Sequence, residues 1–385
     1  MAPTLISIPP EMLEMVAKSL DPENDQSYAL LKLRLVCHDA RSAVQKVFVR
    51  TYFTTRSVFF MMSKLRELED IASSEELASR VTDLDFICEP STTKTPDWSA
   101  TLKDTARQPD PTALALPLSV ILSKFPQLAT ISFVKGYYAT EPKDDQRKTY
   151  KWDTEATVQA TIGALAMVGV QPTTISTDMC PPLSKDQSWF CLRPHLDLLH
   201  RLDLSVFLDR EHGVNVNKIC MNFLLALQQC TVLEELYLSL GYSNEVRDAF
   251  DCLASAVLLP RLRRFAFRQT ACDTPTMIRF LNNHAATLRS CDFAWVEFWH
   301  RGAVDFTNLL AMMSERLSLD KLAIEECSEG QLSLLTFPDM VKVSFDSEPN
   351  DDGYVVVELD ETISLEGYDE VQSGLECMLK CVEVL

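Results

Sequence analysis

The chain has 385 residues, a net charge of -19, 46% hydrophobic residues and 24% charged residues. That composition suits a folded chain of two or three domains, and its negative field argues against DNA, RNA or an anionic membrane as partner. Only 10 glycines weigh against a glycine-rich nucleotide-binding architecture, and neither a leader-like apolar stretch nor a run of about 18 apolar residues is found, so the expectation is an intracellular protein of the cytoplasm or nucleus.

The first informative stretch reads Ile8-Pro9-Pro10-Glu11-Met12-Leu13, then Val16 and Leu20-Asp21-Pro22. A proline pair suits a helix entrance, where the missing donor has no partner to lose. Met12, Leu13, Val16, Ala17 and Leu20 fall on one helical face. A second helix is predicted from Tyr28 to Leu35, and a third carrying Ala40, Ala43, Val44 and Val47. Three short helices in some 40 residues are too small to bury a full core, so the unit must lean on the rest of the chain, on a partner, or on both.

A strand over Arg56–Phe60 and a helix over Ser63–Ala72 follow. From there a pattern recurs, with apolar residues at positions one, four and six of a short segment. It appears as Val81/Leu84/Phe86, Leu128/Ile131/Phe133, Leu199/Leu202/Leu204, Leu233/Leu236/Leu238, Leu262/Phe265/Phe267, Leu288/Cys291/Phe293, Leu319/Leu322/Ile324 and Met340/Val343/Phe345. Val170–Ile175 reads as a poorer copy. From Leu199 to Met340 the start-to-start separations are 34, 29, 26, 31 and 21 residues, near the period of leucine-rich repeats. Helical spacing fills the intervals at Asn222–Gln229, Val246–Val257, Thr276–Asn283 and Phe306–Arg316. Asp273-Thr274-Pro275 looks like a capped helix entrance. The expected fold class is α/β, a three-helix unit followed by an irregular leucine-rich-repeat-like solenoid with parallel strands on one side and helices on the other. A doubly wound α/β sheet is the alternative. The asparagine that regular repeats place after the last strand residue is missing.

The expected domains are a helical unit over 1–50, a solenoid over 51–349 and a strand-helix cap over 350–385. Insertions near 89–111, 137–153 and 181–193 leave the chain after strands, on one rim. The first reads as an unstructured insertion or a recognition loop. Tyr137, Tyr138, Tyr150 and Trp152 in the second are aromatics among charges, the composition of interface anchors, and are the candidates for substrate binding.

No catalytic constellation stands out. The six histidines form no HExxH, and GxxxxGK[ST], GxGxxG and GxSxG are absent. The 12 cysteines are scattered, without a CxxC pair; Cys377 and Cys381 are helix neighbours without a second ligand pair, so core thiols are expected rather than zinc or disulfides. The expectation is a non-catalytic chain with no cofactor and no metal.

The opening stretch resembles the F-box, the motif by which substrate adaptors dock onto Skp1 in cullin-RING ubiquitin ligases. Ile8-Pro9-Pro10-Glu11-Met12-Leu13, Leu20-Asp21-Pro22, Leu30-Leu31, Leu33-Arg34-Leu35-Val36-Cys37 and Arg41 carry the resemblance over roughly residues 5–48. The remainder is similar to fungal F-box proteins with a degenerate leucine-rich-repeat region. The resemblance implies a Skp1-like adaptor as partner, a cullin through it, and an unknown protein substrate. It also implies Skp1-facing roles for Ile8, Pro9, Met12, Leu13, Leu30, Leu31, Leu33 and Val36. His38-Asp39-Ala40 departs from the usual basic residue and aromatic after the cysteine, and the connection Pro22–Ser27 is longer than typical. The alternative is a scaffold outside any ligase that keeps an F-box-like unit for packing.

Overall fold

The computed structural model describes residues 9–19, 27–36, 38–59, 62–88, 111–135, 157–158, 160–180, 193–206, 227–242, 244–299, 305–329, 335–336, 342–345, 357–360, 363–381 and 383–384. Three helices come first, α1 (Pro10–Ser19), α2 (Ser27–Val36) and α3 (His38–Phe53), and α3 runs almost directly into the first strand.

The one-four-six spacing then becomes buried columns crossing a parallel sheet. Strands β1 (Thr55–Phe59), β2 (Asp83–Cys88), β3 (Thr130–Lys135), β4 (Thr174–Cys180), β5 (Arg201–Val206), β6 (Glu235–Gly241), β7 (Arg264–Asp273), β8 (Ser290–Trp299) and β9 (Lys321–Glu325) lie side by side in chain order. Position four forms one register line through Leu84, Ile131, Ile175, Leu202, Leu236, Phe265, Cys291 and Leu322. Position six forms a second, through Phe86, Phe133, Thr177, Leu204, Leu238, Phe267, Phe293 and Ile324. Position one lies beneath them, with Val81, Leu128, Leu199, Leu233, Leu262, Leu288 and Leu319 all buried. The segment ending in Ile175 is thus a full member of the sheet.

Helices close the repeats. These are α4 (Met62–Ala72), α5 (Glu75–Ala78), α6 (Pro111–Leu122), α7 (160–168), α8 (Asn244–Ala256), α9 (Thr274–His284) and α10 (Phe306–Arg316). Phe250 of α8 meets Phe267 of β7 at 4.6 Å between ring centroids, and Phe280 of α9 meets Phe265 at 4.5 Å. No repeat buries its apolar face alone, and stacking the neighbours makes one continuous core. Sequential strand order, without the reversal of a doubly wound sheet, makes this a solenoid-like α/β fold.

Other groups do the work of the missing asparagine. Thr177 Oγ1 accepts from the Ser205 amide at 3.2 Å. Thr270 Oγ1 accepts from the Leu240 amide at 2.8 Å and donates to the Arg268 carbonyl at 2.6 Å. The Cys327 thiol donates to the carbonyls of Phe293 and Glu325 at 3.6 and 3.5 Å. Each gives a side-chain partner to backbone groups of the sheet.

The solenoid ends earlier than its spacing predicts. After the short strands β10 (Ser328–Glu329), paired with β8, and β11 (Leu335–Thr336), the Met340/Val343/Phe345 segment supplies β12 (Lys342–Phe345). That strand pairs antiparallel with β13 (Val357–Asp360) in a separate two-stranded sheet. The edge of β9 is taken by β14 (Ile363–Glu366), antiparallel, which places Leu365 on Leu322 and Ile363 on Ile324. A parallel neighbour needs a crossover long enough for a helix, and none is found between β9 and β12 among the described residues. Helix α11 (Tyr368–Cys381) packs on α10 and covers the last repeat, and β15 (Glu383–Val384) pairs with β11.

Candidate functional site

The helical unit has a core of its own. Leu13 and Ala17 of α1 pack with Ala40, Val44, Phe48 and Val49 of α3, with Leu33 of α2 and Tyr52, Phe53 and Leu77 at the margin. The Pro9 carbonyl accepts from the amides of Met12 and Leu13 at 3.0 and 3.1 Å, which fixes the first turn. Arg34 lays its guanidinium over the Phe48 ring, 4.1 Å from the centroid. Desolvation, then the nearby Arg41 charge, push the Arg34 pKa down, against the pull of Glu76. Leu77 and Glu76 belong to α5, so the unit is seated on the first repeat.

That core uses only part of the apolar surface. Met12, Met15 and Val16 on α1 are exposed, Met15 at 70%. At the end of α2, Leu35 is 83% exposed and Val36 is exposed as well. Burying a side chain of this size stabilises by roughly 1.5–3 kcal/mol, and thioethers adapt to an irregular partner surface. The face expected for α1 therefore splits, with Leu13 and Ala17 turned inward and Met12 and Val16 outward.

The residues implied as Skp1-facing are distributed as follows. Pro9, Met12 and Val36 are exposed, Leu33 is half-buried against the helical core, and Leu13 is buried in it. Ile8 and the side chains of Leu30 and Leu31 lie outside the described residues, as do Tyr137, Tyr138, Tyr150 and Trp152. Met15 lies outside the motif residues, and its signal was an apolar residue off the line of Leu13 and Ala17; Leu35 lies within the motif stretch but outside the set implied as Skp1-facing. Ala40, where the motif has an aromatic, is buried beside Leu13 and Val44.

The open face of the sheet carries polar columns. Tyr237 lies between Arg201, 4.5 Å from its ring centroid, and Arg264 at 5.9 Å. Its hydroxyl donates to Glu235 at 3.1 Å, and Glu235 in turn pairs with both arginines at 3.5 Å. Burial and then Glu235 raise the tyrosine pKa. Arg268 pairs with Asp292. Burial pushes the Cys230 and Cys327 thiols up to about 12 and raises Cys272 and Cys291 as well, which holds them as unreactive thiols. No group of three potential metal ligands is found among the described residues. Nor is any helix among them long and apolar enough to cross a membrane.

No family model and no curated protein matches the chain. Among solved structures it is similar to the complex of Rad7 and Elc1 from yeast, with a TM-score of 0.30 and 15% identity over 80% of this chain and 84% of that one. Likeness of that degree carries no weight for function.

Proposed function

We propose that the chain is a non-catalytic substrate-recognition adaptor of an SCF-type cullin-RING ubiquitin ligase. In this reading α1 and α2 dock on a Skp1-like subunit, which links to a cullin, while the repeats hold a protein substrate. The observation that supports it is the outward apolar face of Met12, Met15, Val16, Leu35 and Val36 on helices that already have a core, within the stretch that resembles the F-box. Such a face costs solubility unless a partner covers it. The contact of Leu77 with the helical core favours the second reading, a unit kept for packing on the repeats; that reading leaves the outward face without a purpose.

The test is co-purification with Skp1. Met15→Glu with Leu35→Glu should abolish capture while the thermal midpoint stays within a degree or two, because both side chains are exposed. Leu13→Ala serves as the contrast, since a buried leucine truncation should destabilise by about 2–5 kcal/mol. Full capture by the double variant sinks the adaptor reading.

A further inference from the structure

One residue per repeat stands immediately before each strand, and these residues form a row along the rim where the strands begin. Each amide in the row bonds the carbonyl of the residue before it. Glu234 bonds His200 at 2.8 Å, Arg263 bonds Glu234 at 2.8 Å, Arg289 bonds Arg263 at 2.8 Å, and Asp320 bonds Arg289 at 2.7 Å. Neighbouring rungs of a sheet are about 4.8 Å apart, so Arg263 and Arg289 are adjacent cations. With Pro260, Arg261, Ala286 and Thr287 of the preceding turns, the row lines a cleft of about 550 Å³.

The arginines here differ from those on the open face of the sheet. Arg201, Arg264 and Arg268 each hold a carboxylate. The side chains of Arg261 and Arg263 make no hydrogen bond or ion pair among the described residues. Arg289 donates to carbonyls of its own turn, Leu288 at 2.7 Å and Ala286 at 3.4 Å, which sets the direction of its guanidinium in advance. Like charges on adjacent strands are destabilising, and they stand here in a chain of net charge -19. An anion between them would remove the repulsion. Guanidinium forks suit phosphoryl oxygens. Along the row the cleft is bounded by Glu234 and Asp320, two carboxylates that repel a polyanion.

We propose that this cleft binds a single phosphoryl group carried on a peptide segment, held by Arg261, Arg263 and Arg289. A doubly charged phosphoryl matches three guanidiniums better than a carboxylate does. The proposal deepens the adaptor reading by naming the chemistry of the substrate; the phosphoryl site stands on the arginines of the cleft, and the peptide carrier rests on that reading. The cleft residues are remote in sequence from α1 and α2, so the two can fail separately.

The experiment uses the full chain and a phosphoserine pentapeptide flanked by alanines, with its serine and aspartate forms and inorganic phosphate as the other arms. Titration at low ionic strength, followed by isothermal calorimetry or nuclear magnetic resonance, should show the phosphopeptide binding at least tenfold more tightly than the serine or aspartate forms. Arg263→Glu should lose at least tenfold, Arg263→Gln less, and Arg279→Ala on α9 nothing. Arg263 is exposed, so a melting curve unchanged by the substitution confirms that the variant is folded. Equal affinity for phosphorylated and unphosphorylated peptides, or wild-type binding by Arg263→Glu, overturns the proposal. Inorganic phosphate binding as tightly as the peptide overturns the peptide assignment. Skp1 capture retained by Arg263→Glu, and phosphopeptide binding retained by Met15→Glu/Leu35→Glu, separate this site from the docking helices.

Discussion

His284 clips two segments of the repeat core together through both ring nitrogens. It lies at the end of α9, 2% exposed, with its ring 4.5 Å from that of Phe280. Its two nitrogens have opposite roles. Nδ1 is 2.7 Å from the Phe280 carbonyl, which can only accept, so Nδ1 carries the proton. Nε2 accepts from the Leu259 amide at 3.0 Å, so it is bare. Protonating Nε2 would set donor against donor and place a charge in the core, and burial accordingly lowers the His284 pKa, opposed by the Phe280 bond. A lowered folded value means that the unfolded chain binds more protons just below its own pKa of about 6.5. Stability is therefore full above that value and falls as pH drops toward the folded pKa, by at most about 1.4 kcal/mol per pH unit for one proton. His284→Leu removes this slope. It also leaves the Leu259 amide without an acceptor, costing about 1–3 kcal/mol, and loses ring packing of about 0.5–1.5 kcal/mol. Urea unfolding of both proteins between pH 5 and 8 measures the difference. The wild type should lead by roughly 1.5–4.5 kcal/mol at pH 8 and by less at pH 5. A gap that stays constant with pH would refute the assignment of a neutral, accepting Nε2.

Two smaller effects follow from local geometry. Asp305 and Asn308 form a reciprocal capping box at the start of α10, with bonds of 3.1 and 3.0 Å, so Asp305→Ala should cost about 1 kcal/mol in thermal unfolding. Glu326 is exposed and held at φ 42°, where a Cβ is strained; Glu326→Gly should exceed Glu326→Val in stability by about 1–2 kcal/mol, and equal melting points would show that the chain relaxes there.

The parts of the fold legible from sequence are those written as spacing. Leu84, Phe86, Leu236 and Leu238 announce inward columns because position four and position six must point the same way from a pleated strand. Helix α10 spans Phe306–Arg316, the range its apolar spacing predicts. Spacing does not encode the neighbour, however. Met340, Val343 and Phe345 have the same pattern as Leu319, Leu322 and Ile324, yet β12 pairs with β13 and the edge of β9 goes to β14, with no crossover helix between β9 and β12 among the described residues. The arginine cleft is hidden for a related reason. Glu234, Arg263, Arg289 and Asp320 are far apart in sequence, and they become neighbours only once the register of four repeats is known.

The outward apolar face of α1 was half legible, and helical geometry says why. At about 100° per residue, Met15, Met12, Val16, Leu13 and Ala17 succeed one another around α1 across an arc of about 200°. A helix packed on one partner inside a small domain buries a stripe of little more than about 100°. Leu13 and Ala17 occupy that stripe against Ala40, Val44 and Phe48. The remaining arc, Met15, Met12 and Val16, is apolar and exposed. Leu35 and Val36 repeat the situation on α2, where Leu33 faces the core and these two residues are exposed. The apolar arc of α1 thus exceeds what the unit buries, and the excess can be read from ten residues once the inward stripe is identified.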